Sequence, residues 1–192
     1  MNYDFNLQRL NELKGKKLHL FDSSVFVRSE EIFKVSGVDF IDSFQLLEEE
    51  YFFVSNEALM ELSNGPRRVN FKSFLNHILN VEGGMDKKWK ENRFIIEKDG
   101  RLGYIVLNKI SSIDYLQVLL CQNHPTLTLV SSDRKLLKSA AQIIPGRVLG
   151  FPVLVERLTN KYPKNKDIKV INETIKNIYE MKNALDRSKK IK

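Results

Sequence analysis

Four acidic residues are candidates for metal-dependent chemistry. Asp22 and Asp133 each come just after a short apolar, β-favouring run, whereas Glu61 and Asp114 lie in segments with helical periodicity. Carboxylate oxygens are hard ligands of the kind that Mg²⁺ and Mn²⁺ prefer. Because like charges in a pocket repel each other, three or four converging carboxylates are tolerated only around a cation or with some of them protonated.

The order of predicted elements indicates how these acids are brought together. Strand-like runs alternate with helical segments, which is typical of a parallel sheet covered by helices on both faces. Strands are predicted at 17–21, 51–54, 126–131, 147–149 and 152–155. Open α/β sheets bind their ligands at the carboxyl ends of the strands, so we expect Asp22 and Asp133 to meet at that edge.

The middle of the chain is expected to add a β-hairpin. Two β-like runs, FIIEK and RLGYIVL, flank Asp99-Gly100 within 94–107, and Asp-Gly between such runs is a strong turn signal. We expect this hairpin to insert into the domain, either on the sheet edge or as a projecting flap.

Charge sets the C-terminal part of the chain apart. Residues 161–192 contain ten Lys and Arg and four Asp and Glu, whereas residues 1–160 contain 21 and 20. We therefore divide the chain into a domain at 1–160 and a basic linker and helix at 161–192. An apolar stripe within 168–187 favours packing of the helix on the domain; packing on a second subunit and binding along a nucleic-acid backbone are the alternatives. Its lysines serve either solubility or the attraction of a polyanion.

Each of the four acids also has a purely structural interpretation. Asp22 and Asp133 could be turn residues or helix N-caps. Asp114 could complete a capping box with Ser111, three residues before it. Glu61 could be an exposed helix residue. The residues taken singly leave these alternatives open, and it is their matching positions at predicted strand ends that favour a shared site.

Composition argues against several other classes of protein. The chain has 192 residues, 42% of them hydrophobic, which suits a globular domain. No apolar run approaches the roughly 20 residues of a membrane span, and the N-terminal segment lacks a signal-type core, so we expect a cytoplasmic protein. Cys121 is the single cysteine, and His19, His77 and His124 are scattered, which disfavours disulfides and zinc. The run 48–50, all glutamate, is expected to be a solvated face.

Taken together, these motifs resemble a PIN domain. The residues that carry the resemblance are Asp22 with Ser24, Glu61-Leu62 before Asn64-Gly65-Pro66, Asp114 opening a helix, and Ser131-x-Asp133. The resemblance covers about residues 17–155. It implies an α/β fold, a three-layer α/β/α sandwich with a central, mainly parallel sheet. The hairpin and the C-terminal basic helix are additions to that pattern.

The resemblance implies a divalent-metal-dependent ribonuclease. The catalytic and metal-binding residues are then Asp22, Glu61, Asp114 and Asp133. Ser24 and Ser131 fit the family's small hydroxyl positions, which orient the carboxylates or a metal-bound water. Glu57, one helical turn before Glu61, is a rival for the second acid, and Glu61 is preferred because the Glu-Leu pair matches.

The implied mechanism is hydrolysis of RNA phosphodiester bonds, with Mg²⁺ or Mn²⁺ activating water and a second ion steadying the leaving oxygen. The implied partners are RNA and, in the toxin branch of the family, a homodimer and an antitoxin or other protein. Cations would hold the phosphates without reading sequence. The candidates are Arg67, Arg68, Lys87, Lys88, Arg134, Lys189 and Lys190. An alternative function is a non-catalytic RNA-binding or assembly protein on the same fold, which the basic helix favours.

Overall fold

A computed structural model describes residue 13 and residues 15–64, 78–79 and 110–189. Within these ranges the strands are β1 (Lys17–Phe21), β2 (Glu50–Ser55), β3 (Ile78–Leu79), β4 (Leu127–Ser131) and β5 (Val148–Gly150). The helices are α1 (Ser23–Ser36), α2 (Phe40–Gln45), α3 (Asn56–Asn64), α4 (Ser112–Asn123), α5 (Arg134–Ile143), α6 (Phe151–Lys161) and α7 (Lys166–Lys189).

The strands form one sheet in the order β3-β2-β1-β4-β5, and every pairing is parallel. In the central strand β1, Phe21 is opposite Val54 on one side and Val130 on the other. Neighbouring strands therefore end together. We call the edge where β1, β2 and β4 end the carboxyl edge, and the edge where they begin the amino edge. The α/β class with a parallel sheet is confirmed.

Helices cover both faces of the sheet because side chains along each strand alternate between faces. Leu18 and Leu20 of β1 pack in one cluster with residues of α4 and α5. Phe21 packs in a second cluster with residues of α1, α2, α6 and α7. Aromatic rings with centroids 5.2–6.5 Å apart dominate this second cluster. The arrangement is a helix layer, a sheet and a second helix layer.

The C-terminal helix α7 is part of this core. Ile168, Ile171 and Ile175 are buried in the same cluster as Leu154 and Leu158 of α6. The helix also contacts α1 and α2. The prediction that its apolar stripe packs on the domain is confirmed. None of the described helices combines the length and the apolar character needed to cross a lipid bilayer.

One predicted strand is wrong. Residues 152–155 belong to helix α6, which begins at Phe151, so β5 is the last strand described. Pro152 sits in the first turn of the helix, where its missing N–H would have had no partner in any case. Leu154, Val155 and Leu158 are buried with helical spacing. A short apolar run does not by itself distinguish a strand from a buried helix.

Several predicted features lie outside the described residues. These are the hairpin at 94–107 and the cationic side chains of Arg67, Arg68, Lys87, Lys88 and Lys190. Lys189 is the last residue of α7.

Candidate functional site

Asp22 lies at the carboxyl edge, between the end of β1 and the start of α1. It is the N-cap of α1, and its carboxylate accepts a hydrogen bond from the backbone N–H of Ser24 at 3.3 Å. Its own N–H donates to the carbonyl of Val130 in β4 at 3.1 Å. Only 2% of the residue is exposed. The backbone of two strands therefore fixes where this carboxylate sits.

Serine hydroxyls surround the Asp22 carboxylate. Ser131, the last residue of β4, donates its hydroxyl to Oδ2 at 2.6 Å, and the Ser24 hydroxyl donates to the same oxygen. Ser23 donates to Oδ1 at 3.2 Å. Ser24 Oγ in turn accepts the N–H of Ser132 at 2.9 Å. These contacts hold the carboxylate in one orientation and join the ends of β1 and β4.

Asp133 lies beside this network, but its carboxylate is exposed and serves as a helix cap. It is the N-cap of α5 and accepts the backbone N–H groups of Lys135 at 2.6 Å and Leu136 at 3.4 Å. Its own N–H donates to the hydroxyl of Ser131 at 2.9 Å. Asp133 is therefore joined to Asp22 through Ser131, and the structural interpretation of Asp133 as a helix cap is confirmed.

Asp114 opens α4 and forms the capping box that the sequence offered as its structural alternative. Its carboxylate accepts the N–H of Ser111 at 3.0 Å, and its N–H donates to Ser111 Oγ at 3.0 Å. Burial is the main reason that the pKa of this carboxyl is raised to about 6; the negative charges of Asp22 and Glu61 act in the same direction, and the hydrogen bonds from Ser111 oppose them. Asp22, Glu61 and Asp114 are thus close enough to interact electrostatically.

The second acid has two candidates on α3, which starts directly after β2. Glu61 is exposed, and its charge contributes to the raised pKa of Asp114. Glu57 lies in the first turn of the helix, and its Oε2 atom is buried without a hydrogen-bond partner. A buried carboxylate oxygen without a donor is costly. Glu57 therefore stays a rival to Glu61.

These acids do not have internal counter-ions in the part of the chain that the structure describes. The ion pairs there involve neither Asp22, Glu61, Asp114 nor Asp133. The same described residues contain no group of three or more His, Cys, Asp or Glu side chains spaced to hold a metal ion. Asp22, Glu61 and Asp114 interact electrostatically, but the described acids do not form a chelating cluster.

Two polar side chains with buried, unpaired atoms were not anticipated from the sequence. Gln117, one helical turn after Asp114 on α4, is fully buried, and neither its amide nitrogen nor its amide oxygen has a hydrogen-bond partner. Ser132, just after β4, has a buried hydroxyl that also lacks a hydrogen-bond partner. Unpaired buried polar groups cost about 1–3 kcal/mol, so both are candidates to contact a ligand. The sequence feature that could have revealed Gln117 is its polar amide side chain among the apolar residues of α4.

Comparison with known proteins adds no relative to this description. No protein-family model matches the chain, and no match was found among curated proteins or among solved structures. Any assignment of function to this chain therefore depends on its residues and their geometry.

Proposed function

We propose that this chain is a divalent-metal-dependent ribonuclease of the PIN type, which hydrolyses RNA phosphodiester bonds. The observation that carries the proposal is that Asp22 and Asp133 lie together at the carboxyl edge of a parallel sheet, joined through Ser131. The charges of Asp22 and Glu61 also raise the pKa of Asp114. No ion pair in the described ranges neutralises them. A cation held between the carboxylates would remove their mutual repulsion.

The donors fit Mg²⁺ or Mn²⁺ in charge and in type, since all are carboxylate oxygens. In the described residues, however, no three carboxylates lie close enough together to coordinate one cation. Asp22 already accepts hydrogen bonds from Ser23, Ser24 and Ser131, which together use about four lone-pair directions. Serine hydroxyls rotate, so a donor that turns away frees an oxygen without moving the backbone. Binding would require such a local rearrangement and the approach of Glu61 or Glu57.

When bound, a divalent cation supplies a Lewis acid that activates water and offsets the charge of the scissile phosphate. The residues of the chain would supply the rest. Ser24 and Ser131 keep the Asp22 carboxylate oriented at the strand end. Asp114 loses its proton near pH 6, so the full negative charge of the site is present only above that pH. Arg134, exposed beside the Asp133 cap, would hold a phosphate.

A second candidate is a non-catalytic RNA-binding or assembly protein with the same fold. The observation that favours it is that Asp22, Asp114 and Asp133 all cap helices and that the described acids form no chelating group. In this alternative the aspartates are structural, and RNA is held by cationic side chains alone.

Cleavage of a mixed pool of labelled RNAs separates the two functions. The purified chain would be incubated with Mn²⁺, with Mg²⁺ and with a chelator, beside Asp22→Asn and Asp39→Asn. Asp39 is a matched control because it caps α2 through the N–H of Ile41 at 2.8 Å and lies outside the acidic site. Asparagine caps helices as well as aspartate does, so both variants should fold.

We expect metal-dependent cleavage by the unmodified chain and by Asp39→Asn, and a loss of at least about 100-fold in Asp22→Asn. Cleavage that survives in Asp22→Asn, or in the chelator, would contradict the proposed site. Salt-sensitive RNA binding without cleavage in either metal would instead support the non-catalytic function.

A further inference from the structure

Helix α5 presents an unusually cationic surface. Arg134, Lys135 and Lys138 are all exposed, and the helix contains no acidic residue. Their spacing of three and four residues places them on one side of the helix, over an axial rise of about 6 Å. The opposite side is buried, with Leu136 and Ala140 in the core. We call Arg134, Lys135 and Lys138 the α5 basic face.

The cations of this face are unpaired within the described ranges, since none of the ion pairs there includes them. Two of them stand in the first helical turn, where the helix dipole disfavours positive charge. The face therefore contributes nothing evident to the stability of the fold. Three clustered cations in this condition favour an anionic partner.

Helix α7 provides a contrast, although its end of the chain has the greater excess of positive charge. Within 166–183 its four lysines alternate with three acids. Lys182 pairs with Glu31 of α1 at 3.4 Å. Lys176 has Glu180 one helical turn away, where opposite charges attract. This part of α7 is close to neutral, whereas α5 carries three positive charges over ten residues.

The α5 basic face starts at the candidate site. Asp133, the N-cap of α5, donates its N–H to Ser131 Oγ at 2.9 Å, and Ser131 donates to Asp22 at 2.6 Å. Two hydrogen bonds thus separate the start of the helix from the buried carboxylate. At the start of α5 the N–H groups of Lys135 and Leu136 already donate to the Asp133 side chain, so an anion would be bound by the three exposed cations.

From this placement we propose that the α5 basic face, and not the segment 166–183 of α7, binds the phosphate backbone of single-stranded RNA next to the acidic site. The inference rests on the proposed function for the identity of the polyanion. Lys and Arg contacts to phosphate position a strand without reading its sequence. The face would therefore hold the flanking nucleotides while the acids at the carboxyl edge face the scissile bond.

The test compares two triple variants with equal loss of charge. One is Arg134→Gln with Lys135→Gln and Lys138→Gln, and the matched control is Lys166→Gln with Lys169→Gln and Lys176→Gln on α7. All six positions are exposed, so both proteins should fold, which circular dichroism would check. Binding of a short labelled single-stranded RNA would be measured by fluorescence anisotropy, in chelator to prevent cleavage, over a series of salt concentrations.

We expect the α5 variant to raise the Kd on the order of tenfold at low salt and to flatten the plot of log Kd against log salt by about 2, since each single-strand phosphate contact contributes about 0.7. The α7 variant should change the Kd by less than about twofold. Equal weakening by both variants, or normal binding by the α5 variant, would overturn the inference.

Cleavage by the same preparations keeps this inference separate from the proposed function. If the α5 variant binds weakly but the unmodified chain shows no metal-dependent cleavage, the surface stands and the nuclease function fails. If the unmodified chain cleaves RNA and the α5 variant binds normally, only the surface fails. Where cleavage is observed, the α5 variant should raise KM and leave kcat unchanged, as expected for a contact that holds substrate and transition state equally.

Discussion

Both edges of the sheet contain a buried acidic residue, but only the acid at the amino edge has cationic partners in the described ranges. At the amino edge, Glu50 is buried, and His19 Nε2 and Lys161 Nζ each lie 2.7 Å from its carboxylate oxygens. At the carboxyl edge, the buried Asp22 is surrounded by serine hydroxyls and has no cationic partner in the described ranges.

The pKa shifts follow this difference. Burial alone would raise the pKa of Glu50, but the hydrogen bonds from His19 and Lys161 outweigh it, and the pKa is lowered. The hydrogen bonds to Glu49 and Glu50 hold the pKa of Lys161 above its ordinary value. For Asp114 at the carboxyl edge, burial and neighbouring acids raise the pKa to about 6.

The comparison teaches how this fold distinguishes structural acids from candidate functional ones. Where an acid serves stability, the chain supplies its counter-ion from another element, as α6 does with Lys161. At the carboxyl edge the described chain supplies hydroxyls and helix ends, which orient carboxylates but leave their charge in place. A site that keeps uncompensated charge is suited to an external cation.

Removing the Glu50 charge should give the largest change in stability. Glu50→Gln leaves Lys161 and His19 facing a neutral amide. This amide has one acceptor oxygen in place of two charged ones, so it cannot replace both hydrogen bonds of the carboxylate. We expect the free energy of unfolding to fall by about 2–3 kcal/mol, measured by chemical denaturation at neutral pH. Cleavage per folded molecule should change little, because the pair lies at the edge opposite the acidic site.

Glu48→Gln is the control, since Glu48 is exposed in the same acidic run and substitution there should alter stability by less than about 0.5 kcal/mol. If Glu50→Gln were no more destabilising than Glu48→Gln, the amino-edge pair would have no structural role, and the contrast between the edges would fail.

Asp114→Asn should change the free energy of unfolding by an intermediate amount, and it should stabilise the protein where Glu50→Gln destabilises it. Because the folded pKa of about 6 exceeds the ordinary 3.8, the folded state binds the proton more tightly. Asp114 therefore destabilises the metal-free protein as pH rises from about 4 to about 6, and the penalty is complete above that range. Asparagine removes it. We expect a gain on the order of 1 kcal/mol at about pH 8, after allowance for partial solvent exposure, measured in chelator.

The gain from Asp114→Asn should disappear below about pH 4, where the carboxyl is protonated in both the folded and unfolded states. Glu50 supplies the reverse dependence in the same protein. Its lowered pKa gives stability that is present above its unfolded pKa and lost as pH falls through the folded value. A gain for Asp114→Asn that is independent of pH would show that neighbouring charge and burial do not act on this carboxyl.

Asp133→Asn should give the smallest change in stability, and it tests whether Asp133 belongs to the acidic site. Asp133→Ala removes the α5 cap and should cost about 1 kcal/mol, whereas Asp133→Asn keeps the cap and should cost a few tenths. Thermal denaturation would measure both. If Asp133→Asn nonetheless removes metal-dependent cleavage as completely as Asp22→Asn, then the exposed Asp133 carboxylate turns toward the cation, and all four sequence-predicted acids act together.

Local patterns in the sequence predict much of the fold. Gly37 ends α1 with a positive φ of 71°, a conformation that glycine adopts at low cost. The apolar runs before Asp22 and Asp133 are strands, and both aspartates lie at the carboxyl edge as expected. These features depend on neighbouring residues along the chain, so a single sequence is sufficient to locate them.

Features that depend on distant contacts were missed. Glu50 was expected in a solvated face, but it is buried because His19 and Lys161, from β1 and α6, supply its partners. Lys135 and Lys138 attracted no prediction, because only the folded structure shows that neither forms an ion pair in the described ranges. The choice between Glu57 and Glu61 likewise depends on side-chain placement across the carboxyl edge, which spacing along α3 does not determine.

The most direct test of the carboxyl-edge site is calorimetric titration with Mn²⁺ of the unmodified chain, Asp22→Asn and Asp39→Asn. Buffers of different ionisation enthalpy would count the protons released. We expect saturable binding to the unmodified chain and to Asp39→Asn, with more protons released near pH 6 than near pH 8 because Asp114 must deprotonate. Binding should be lost in Asp22→Asn. An absence of saturable binding, or equal binding by Asp22→Asn, would contradict a cation site at this edge.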